Sequence, residues 1–216
     1  MNFPKPVFVF SDFDGTITDT DSLVFLTNHL GGGPELLESV RRRLRAETMS
    51  LRDAITEEMS SITARFETAR ELVKQRITRD PQFKEFASLC ASKSIPLTVL
   101  SAGFHELIEL FVSQEEFPEI KVIASHVIPN ETGWQCNFRD DSEWGTDKAA
   151  AIVEAREKGY HTVFIGDGLS DRASAAVADT VFAKRYLVEY CVERRIPHIR
   201  FESFADLLGI FDGYQD

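Results

Sequence analysis

Short apolar runs that stop at a small or acidic residue constrain the fold of this chain more than any other feature of its sequence. They cover residues 7–10, 97–100 and 162–165, and they lead directly into Ser11-Asp12, Ser101-Ala102-Gly103 and Gly166-Asp167-Gly168. Continuous apolar runs rich in β-branched and aromatic residues are typical of strands buried on both faces of a parallel sheet. Because helical segments lie between them, we predict an α/β fold with a doubly wound, Rossmann-like core and a mainly parallel sheet.

Several further elements are predicted around these strands. Asp80-Pro81 has the pattern of an N-cap followed by a first helical residue, which predicts a helix over 80–92. A second helix is predicted over 146–158, where Gly159 ends an alanine-rich stretch. Short strands are expected at 181–183 and 199–201, and a hairpin is expected in the segment that ends at Phe138.

Residues 19–79 interrupt this alternation of strands and helices. They contain no convincing strand, and their helical stretches lie near 20–30, 34–46, 50–62 and 66–78. In the third stretch, Leu51, Ile55, Met59 and Ile62 recur every three to four residues, which indicates a helix with one apolar face. We therefore predict a core formed by residues 1–18 and 80–216, with a helical bundle at 19–79 inserted after the first strand.

Composition and charge exclude several classes of partner. Of the 216 residues, 43% are hydrophobic and 27% are charged, which is ordinary for a folded globular protein. The formal net charge of −11 repels phosphate backbones and anionic lipids, so we expect neither nucleic acid nor a membrane as partner. No apolar run reaches the roughly 18 residues of a membrane span, and the first residues do not form a secretion signal, which predicts a cytoplasmic location. The three cysteines are widely spaced, which predicts free thiols and no zinc site.

Chemically useful residues follow the predicted strands. Ligands of open parallel sheets bind at the carboxyl ends of the strands, and four separate stretches of this chain converge there. The first strand leads to Asp12 and Asp14, the second to Ser101 with Ala102 and Gly103, and the third to Asp167 and Asp171, while Lys148 opens the helix before the third strand.

This set of side chains predicts phosphoryl transfer. Neighbouring carboxylates repel one another unless a cation balances them, and Mg²⁺ suits a site with few carboxylates and a phosphate. An aspartate can attack phosphorus, a second carboxylic acid can protonate the leaving oxygen, and lysine, hydroxyl and backbone N–H groups can hold the phosphoryl oxygens.

The motifs resemble those of the haloacid-dehalogenase-like hydrolases over nearly the whole chain. The matching stretches are Asp12-Phe13-Asp14-Gly15-Thr16, Ser101, Lys148 and Gly166-Asp167-Gly168-Leu169-Ser170-Asp171. An aspartate at position 14, two residues after the first, favours phosphatases over dehalogenases within this family. The insertion at 19–79 is similar to the family's cap.

The resemblance implies a role for each matching residue. Asp12 would be the nucleophile and a Mg²⁺ ligand, and Asp14 would be the general acid/base, with its carbonyl also reaching the metal. Ser101, Ala102, Gly103 and Lys148 would hold the phosphoryl group. Thr16 would assist Asp14 or the phosphate. Asp167 would bind the metal, and Asp171 would lie outside the direct ligands or hold Lys148.

Within this family the chain is most similar to the phosphoserine-phosphatase-like branch, especially the methionine-salvage (2-hydroxy-3-keto-5-methylthiopentenyl-1-phosphate) phosphatases. The similarity extends over residues 12–21, 101–104 and 182–204. Where phosphoserine phosphatases carry a glutamate that binds the substrate amine, this chain has the shorter Asp21, which we expect at the substrate. Gly15 replaces their serine. Both departures point away from phosphoserine itself.

We therefore predict a Mg²⁺-dependent phosphatase of a small cytosolic phosphorylated metabolite that works through an aspartyl-phosphate on Asp12. Two alternatives remain open. The same fold could transfer the phosphoryl group to a second substrate, as a phosphotransferase or mutase does, or it could bind a phosphometabolite without catalysis. The sequence does not indicate the oligomeric state.

Overall fold

The structure is a computed structural model that describes Phe3 and residues 6–214, and it has the predicted α/β architecture. Its strands are β1 (Val7–Ser11), β2 (Leu97–Phe104), β3 (Lys121–Ile128), β4 (Gln135–Asn137), β5 (His161–Gly166), β6 (Thr180–Ala183) and β7 (Ile199–Arg200). Its longer helices are α1 (Ser22–Leu30), α2 (Gly33–Arg45), α3 (Leu51–Ser60), α4 (Phe66–Arg76), α5 (Phe83–Ser92), α7 (Lys148–Glu157), α9 (Arg185–Arg194) and α10 (Phe204–Asp212). Two short helices, α6 (His105–Ile108) and α8 (Arg172–Val177), complete the set.

The seven strands form one sheet in the order β4-β3-β2-β1-β5-β6-β7. All neighbouring strands are parallel except β3 and β4, which form the antiparallel hairpin that the sequence predicts. The sheet's order reverses at β1, which lies between β2 and β5. Such a switch point is where ligands bind in doubly wound sheets, so the topology directs attention to the carboxyl ends of these three strands.

Both faces of the sheet are buried, as the continuous apolar runs predict. Val163 and Ile165 of β5 pack with α5 and α10 on one face, whereas Phe164 between them packs with α7, α8 and α9 on the other. Because side chains alternate across a strand, every residue of such a run is buried. Full burial of an aromatic ring like that of Phe164 stabilises the fold by about 1.5–3 kcal/mol.

Residues 19–79 form the helices α1 to α4 and, among the described residues, no strand longer than a single bridge. That bridge joins Thr18 to Arg79 in antiparallel fashion, so the chain leaves and re-enters the sheet region at one place. The backbone N–H of Asp19 donates to the carbonyl of Thr78 at 3.0 Å beside it. A separate apolar cluster joins α1, α3 and α4 to Trp134, whose indole N–H donates to the carbonyl of Ala64 at 2.8 Å.

The prediction that Pro81 is the first helical residue was wrong by two residues, because α5 begins at Phe83. One carboxylate oxygen of Asp80 accepts from the backbone N–H of Gln82 at 2.9 Å, which forms a turn in place of the first helical residues. Its other oxygen accepts from the N–H of Phe204 at 3.1 Å and so ties this turn to the start of α10.

The helix predicted at 146–158 begins instead at Lys148, because the side chain of Asp147 accepts from the N–H of Ala150 and caps it. The cysteines at 90, 136 and 191 are free thiols. Within residues 6–214, none of the helices combines the length and the apolar character that a membrane crossing requires.

Candidate active site

A buried lysine joins two carboxylates at the centre of the site. Lys148 Nζ lies 2.6 Å from Asp12 Oδ1 and 2.7 Å from Asp171 Oδ1, and all three side chains are almost completely buried. Asp12 follows β1 directly, Asp171 follows β5 through a short loop, and Lys148 is the first residue of α7. The three come from separate stretches of the sequence, and the sheet topology brings them together.

Charges in this cluster shift one another's protonation. Burial, and then the charges of Asp171 and Asp167, raise the pKa of Asp12 well above its usual value, although Lys148 opposes this effect. Burial alone would lower the pKa of Lys148, but the charges of Asp12 and Asp171 outweigh it and raise that pKa. Lys148 therefore stays a cation, and its contact with Oδ1 at 2.6 Å favours the ionised form of Asp12 and fixes its orientation.

Asp14 lies at the edge of this cluster. Its Oδ1 accepts from the backbone N–H of Ser22 at 2.7 Å, which connects it to the first residue of α1. Burial, and next the charge of Asp21, raise the pKa of Asp14 to about 8. Asp14 is therefore protonated near neutral pH and is equipped to donate a proton, as a general acid must.

β2 does not end at Leu100, as the apolar run predicts, but continues to Phe104, and its last residues lie beside Asp14. Its pairing with β3 shifts register between Leu100 and Phe104. Ser101 is buried, and its Oγ accepts from the backbone N–H of Gly103 at 2.9 Å. A Cβ atom on Gly103 would lie 2.6 Å from Asp14 Oδ2, so only glycine allows this approach. This end of β2 thus presents a hydroxyl and backbone groups next to Asp14, which suits contacts to phosphoryl oxygens.

The loop after β5 holds Asp167 and Asp171. Oδ2 of Asp171 accepts from the N–H groups of Asp167 and Gly168, both at 2.9 Å. The hydroxyl of Thr16 donates to Asp167 Oδ1 at 3.3 Å. Burial, and then the charge of Asp171, raise the pKa of Asp167 to about 7, although the charges of Arg185 and Lys184 act in the opposite direction.

This carboxylate group fits a divalent cation. Asp12, Asp167 and Asp171 each offer an oxygen, and these oxygens lie within 4.8 Å of one another. Hard carboxylate oxygens with room for water and phosphate are the donors that Mg²⁺ prefers. Since Lys148 and the two loop N–H groups already engage both oxygens of Asp171, Asp12 and Asp167 are better suited as direct ligands.

A cavity of about 220 Å³ opens above these residues, and we call it the central cavity. One end is lined by the predicted residues Asp12, Asp14, Ser101, Ala102, Gly103 and Asp167. The opposite end is formed by α1, α2 and α3. Asp21 lines the wall between them and also caps α1, because its Oδ1 accepts from the N–H of Val24 at 2.9 Å. Lys148, Thr16 and Asp171 lie directly behind this lining.

Among the charged residues that line the cavity, the sequence did not point to Arg185 or Glu58. Arg185 Nη1 lies 3.3 Å from Asp167 Oδ2, and its position two residues after β6 is the same strand-end signal that identified Asp12. Glu58 lines the other end. It falls on the apolar stripe of α3, three residues after Ile55, and an acidic residue on such a stripe is the signal that could have identified it.

Gly103→Ala should lower kcat by about 10- to 100-fold with little change in stability, because the added methyl displaces Asp14 from its position. Steady-state kinetics with an aryl phosphate, together with thermal unfolding, measures both quantities. Gly209→Ala in α10 is the matched control: nothing lies within 4 Å of its added Cβ, so we expect full activity and a small gain in stability. A fully active Gly103→Ala variant would contradict the placement of Asp14.

Comparison with known proteins gives a family and several relatives. A family model described as haloacid dehalogenase-like hydrolase matches residues 9–176. Pdp3-interacting factor 1 of Schizosaccharomyces pombe is 34% identical and covers 94% of this chain and 93% of its own length. Polyol phosphate phosphatase PYP1 of Saccharomyces cerevisiae is 31% identical, with 93% and 90% covered. A 2-hydroxy-3-keto-5-methylthiopentenyl-1-phosphate phosphatase of Microcystis aeruginosa is 28% identical, with 92% and 94% covered.

Among solved structures, a phospho-aspartyl intermediate analogue of phosphoserine phosphatase superposes with a TM-score of 0.71. The superposition covers 95% of this chain and 98% of that one at 16% sequence identity. At that identity the likeness concerns the fold, and it confirms the predicted Rossmann-like α/β architecture.

Proposed function

The chain belongs to the haloacid dehalogenase-like hydrolases, and on that basis we propose that it is a Mg²⁺-dependent phosphomonoesterase that carries the phosphoryl group on Asp12. The resemblance inferred from its motifs is confirmed by the family model and by relatives aligned over nine-tenths or more of their length. These relatives are named as phosphatases of small phosphorylated compounds, and the chain is likewise a phosphatase. The nucleophile, the metal and the substrate are the parts that we propose.

The observation that carries the proposal is the buried ion pair of Lys148 with Asp12. A protein that only binds phosphate would need a cation that faces the phosphate. It would gain nothing from a buried carboxylate such as Asp12 beside that cation. In a phosphatase the pair has a purpose. Lys148 balances negative charge at the site, while a carboxylate oxygen of Asp12 stays available to attack phosphorus. The pair therefore favours a catalyst over a non-catalytic phosphometabolite-binding protein.

In the first step, a carboxylate oxygen of Asp12 attacks phosphorus and the bond to the leaving oxygen breaks. Asp14 gives its proton to that oxygen, so the alcohol leaves neutral and the phosphoryl group remains on Asp12 as an acyl phosphate. Ser101 and the backbone of Ala102 and Gly103 hold the phosphoryl oxygens, with Lys148 balancing their charge. Asp14 is left as a carboxylate.

In the second step, that carboxylate takes a proton from water, and the water oxygen attacks phosphorus. The bond from phosphorus to Asp12 breaks, which releases inorganic phosphate and restores both aspartates. One residue thus acts first as acid and then as base. Its raised pKa, about 8, suits both roles near neutral pH.

Asp12 and Asp167 are the residues that would hold Mg²⁺, together with the backbone carbonyl of Asp14. When bound, the ion supplies positive charge that neutralises the phosphoryl oxygens and orients the phosphate. Thr16 and Arg185 keep Asp167 in position from two sides. Asp171 holds Lys148 and the loop.

We also propose that residues 19–79 are a cap and that residues 1–18 and 80–216 are the core. The two chain crossings at Thr18 and Arg79 lie side by side, which is what an inserted unit requires. The cap end of the central cavity has apolar walls from three helices, so its shape would select the alcohol part of the substrate. Two relatives are named for polyol phosphates and for a hydroxy-keto phosphate, both of them hydroxylated chains.

Hydrolysis of p-nitrophenyl phosphate with and without Mg²⁺ tests the proposed activity. We expect release of phosphate that depends on Mg²⁺ and disappears with a chelator. Adding an alcohol as acceptor and measuring free phosphate against phosphorylated acceptor separates hydrolysis from phosphotransfer. Dominant phosphorylation of the acceptor would favour the phosphotransferase alternative, and absence of any turnover would contradict the proposal.

Mg²⁺ should raise the melting temperature of the protein, and Asp167→Asn should remove this response. An ion that binds only the folded state stabilises it by about 2.7 kcal/mol at a hundredfold excess over its Kd. Differential scanning fluorimetry measures the shift without any need for turnover. Asp141→Asn is the control, since this side chain is fully exposed and should leave the response intact. An equal shift in Asp167→Asn and the unmodified protein would place the metal elsewhere.

A further inference from the structure

Glu58 is a buried acid whose position the catalytic steps do not explain. It lies on α3 at the end of the central cavity opposite Asp12, and only 6% of its surface is exposed. Its Oε2 is buried and has no hydrogen-bond partner among the described residues. The hydroxyl of Thr27 on α1 lies beside it and acts to lower the pKa of Glu58, but the two groups do not form a hydrogen bond of ordinary geometry.

An unsatisfied carboxyl group is costly inside a protein. Leaving such a group without a partner typically costs about 1–3 kcal/mol, so it is retained where something else completes it. The surroundings of Glu58 in the cavity are mostly apolar and include Leu37, Val40 and Ile55. A polar group placed among apolar walls is how small-molecule sites fix the orientation of a ligand.

We propose that Glu58 binds a hydroxyl group of an uncharged, hydroxylated substrate chain whose phosphate lies at Asp12. The inference rests on the proposed phosphatase function and specifies its substrate class: phosphate esters of small polyols. The apolar walls would contact the carbon skeleton, and Glu58 would be a specificity residue at the cap end. Its carboxyl group would take no part in the transfer of the phosphoryl group.

Charge in the cap end of the cavity disfavours other substrates. A second phosphate or a carboxylate would face the carboxylate of Asp21, and the cation in that wall, Arg41, already acts on Asp21. A positively charged amine on the substrate would need an ionised carboxylate as its partner. Burial, and next the charge of Asp21, raise the pKa of Glu58 to about 8, so it is neutral near pH 7 and suited to hydrogen bonds.

Cavity size limits the length of the chain. At about 220 Å³ the central cavity is smaller than the roughly 300–1,000 Å³ of sites for drug-sized ligands. That volume must hold both the phosphate and the alcohol part. Chains of a few carbons are therefore the appropriate probes.

The test compares two kinds of substrate in Glu58 variants. The probes are p-nitrophenyl phosphate, which has no hydroxylated chain, and the straight-chain alditol phosphates of three to six carbons. Glu58→Leu should lower kcat/KM for the best alditol phosphate by about 10- to 100-fold, mainly through KM, because a buried hydrogen bond to substrate is lost. Its kcat/KM for p-nitrophenyl phosphate should be unchanged or higher.

Glu58→Gln should keep kcat/KM for alditol phosphates within about threefold of the unmodified protein. Like a neutral carboxyl group, the glutamine amide offers both a hydrogen-bond donor and an acceptor. Glu57→Gln is the matched control: this neighbour pairs with Arg43 at 2.7 Å outside the cavity, so both substrates should react normally. Thermal unfolding checks each variant. If Glu58→Leu does not fold, Glu58→Ala removes the carboxyl group without adding a branched side chain and gives the same contrast.

An equal loss for both substrates in Glu58→Leu would overturn the inference, and so would an unchanged alditol kcat/KM. A Glu58→Gln variant as weak as Glu58→Leu would also contradict recognition by a neutral carboxyl group. If the unmodified protein hydrolyses p-nitrophenyl phosphate but no alditol phosphate, the inference fails while the proposed function stands. If it hydrolyses neither, the proposed function itself fails.

Discussion

Asp12→Asn should lower kcat by about a thousandfold or more and leave the protein folded. The amide has nearly the same shape as the carboxylate, but it lacks the negative oxygen that attacks phosphorus. Lys148 keeps its second partner, because Asp171 Oδ1 lies 2.7 Å from its Nζ. Loss of one charge also relieves repulsion among the neighbouring carboxylates, so we expect no large loss of stability.

Initial rates with p-nitrophenyl phosphate and saturating Mg²⁺ measure this effect, and thermal unfolding shows that the variant is folded. Asp212→Asn is the matched control, because this exposed residue at the end of α10 lies far from the site in the fold and should keep full activity. A variant that retains even one-tenth of the activity would show that Asp12 is not the nucleophile.

Lys148→Met should be the most destabilising single change at the site, at about 3–5 kcal/mol, and it should lower kcat by about a hundredfold or more. Methionine fills a similar volume but leaves Asp12 and Asp171 buried without their shared cation. The phosphoryl oxygens also lose the positive charge that balances them. Urea unfolding and steady-state kinetics measure the two losses separately.

Lys158→Met on the same helix is the control for Lys148→Met. Lys158 pairs with Glu154 at the surface, with 63% of its side chain exposed, so its loss should cost under about 1 kcal/mol. The double variant Asp12→Asn/Lys148→Met should regain part of the stability and none of the activity. If Lys148→Met were as stable as Lys158→Met, Lys148 would not be the shared cation that stabilises the buried carboxylates of Asp12 and Asp171.

The sheet and its reactive edge could be predicted because both depend on local pattern. A run such as residues 162–165 is apolar at every position, which is diagnostic of burial on both faces, and Asp167 follows two residues later. Once the strands are parallel and neighbouring, their carboxyl ends must meet. The meeting of Asp12, Ser101 and Asp167 therefore follows from the order of elements along the chain.

Other features could not be predicted because they depend on contacts between distant segments. The side chain of Asp80 makes a turn in place of a helical start, since its second oxygen reaches Phe204 across the core. Glu58 lies on a helix whose partner surface is unknown from sequence, so its burial was not apparent. Asp21 both caps α1 and lines the cavity. The family resemblance predicted its place at the substrate, but nothing in the sequence indicated that it also caps the helix.

Direct trapping of the phosphorylated protein tests the central claim, that Asp12 carries the phosphoryl group. The protein is mixed with p-nitrophenyl phosphate and Mg²⁺, quenched in acid during the first turnovers, digested and analysed by mass spectrometry. We expect a phosphoryl group on the peptide that contains Asp12, removable by hydroxylamine as an acyl phosphate should be, and none in Asp12→Asn. A phosphoryl group found on another residue, such as Ser101, would contradict the account. So would a burst of p-nitrophenol while the peptide that contains Asp12 stays unmodified.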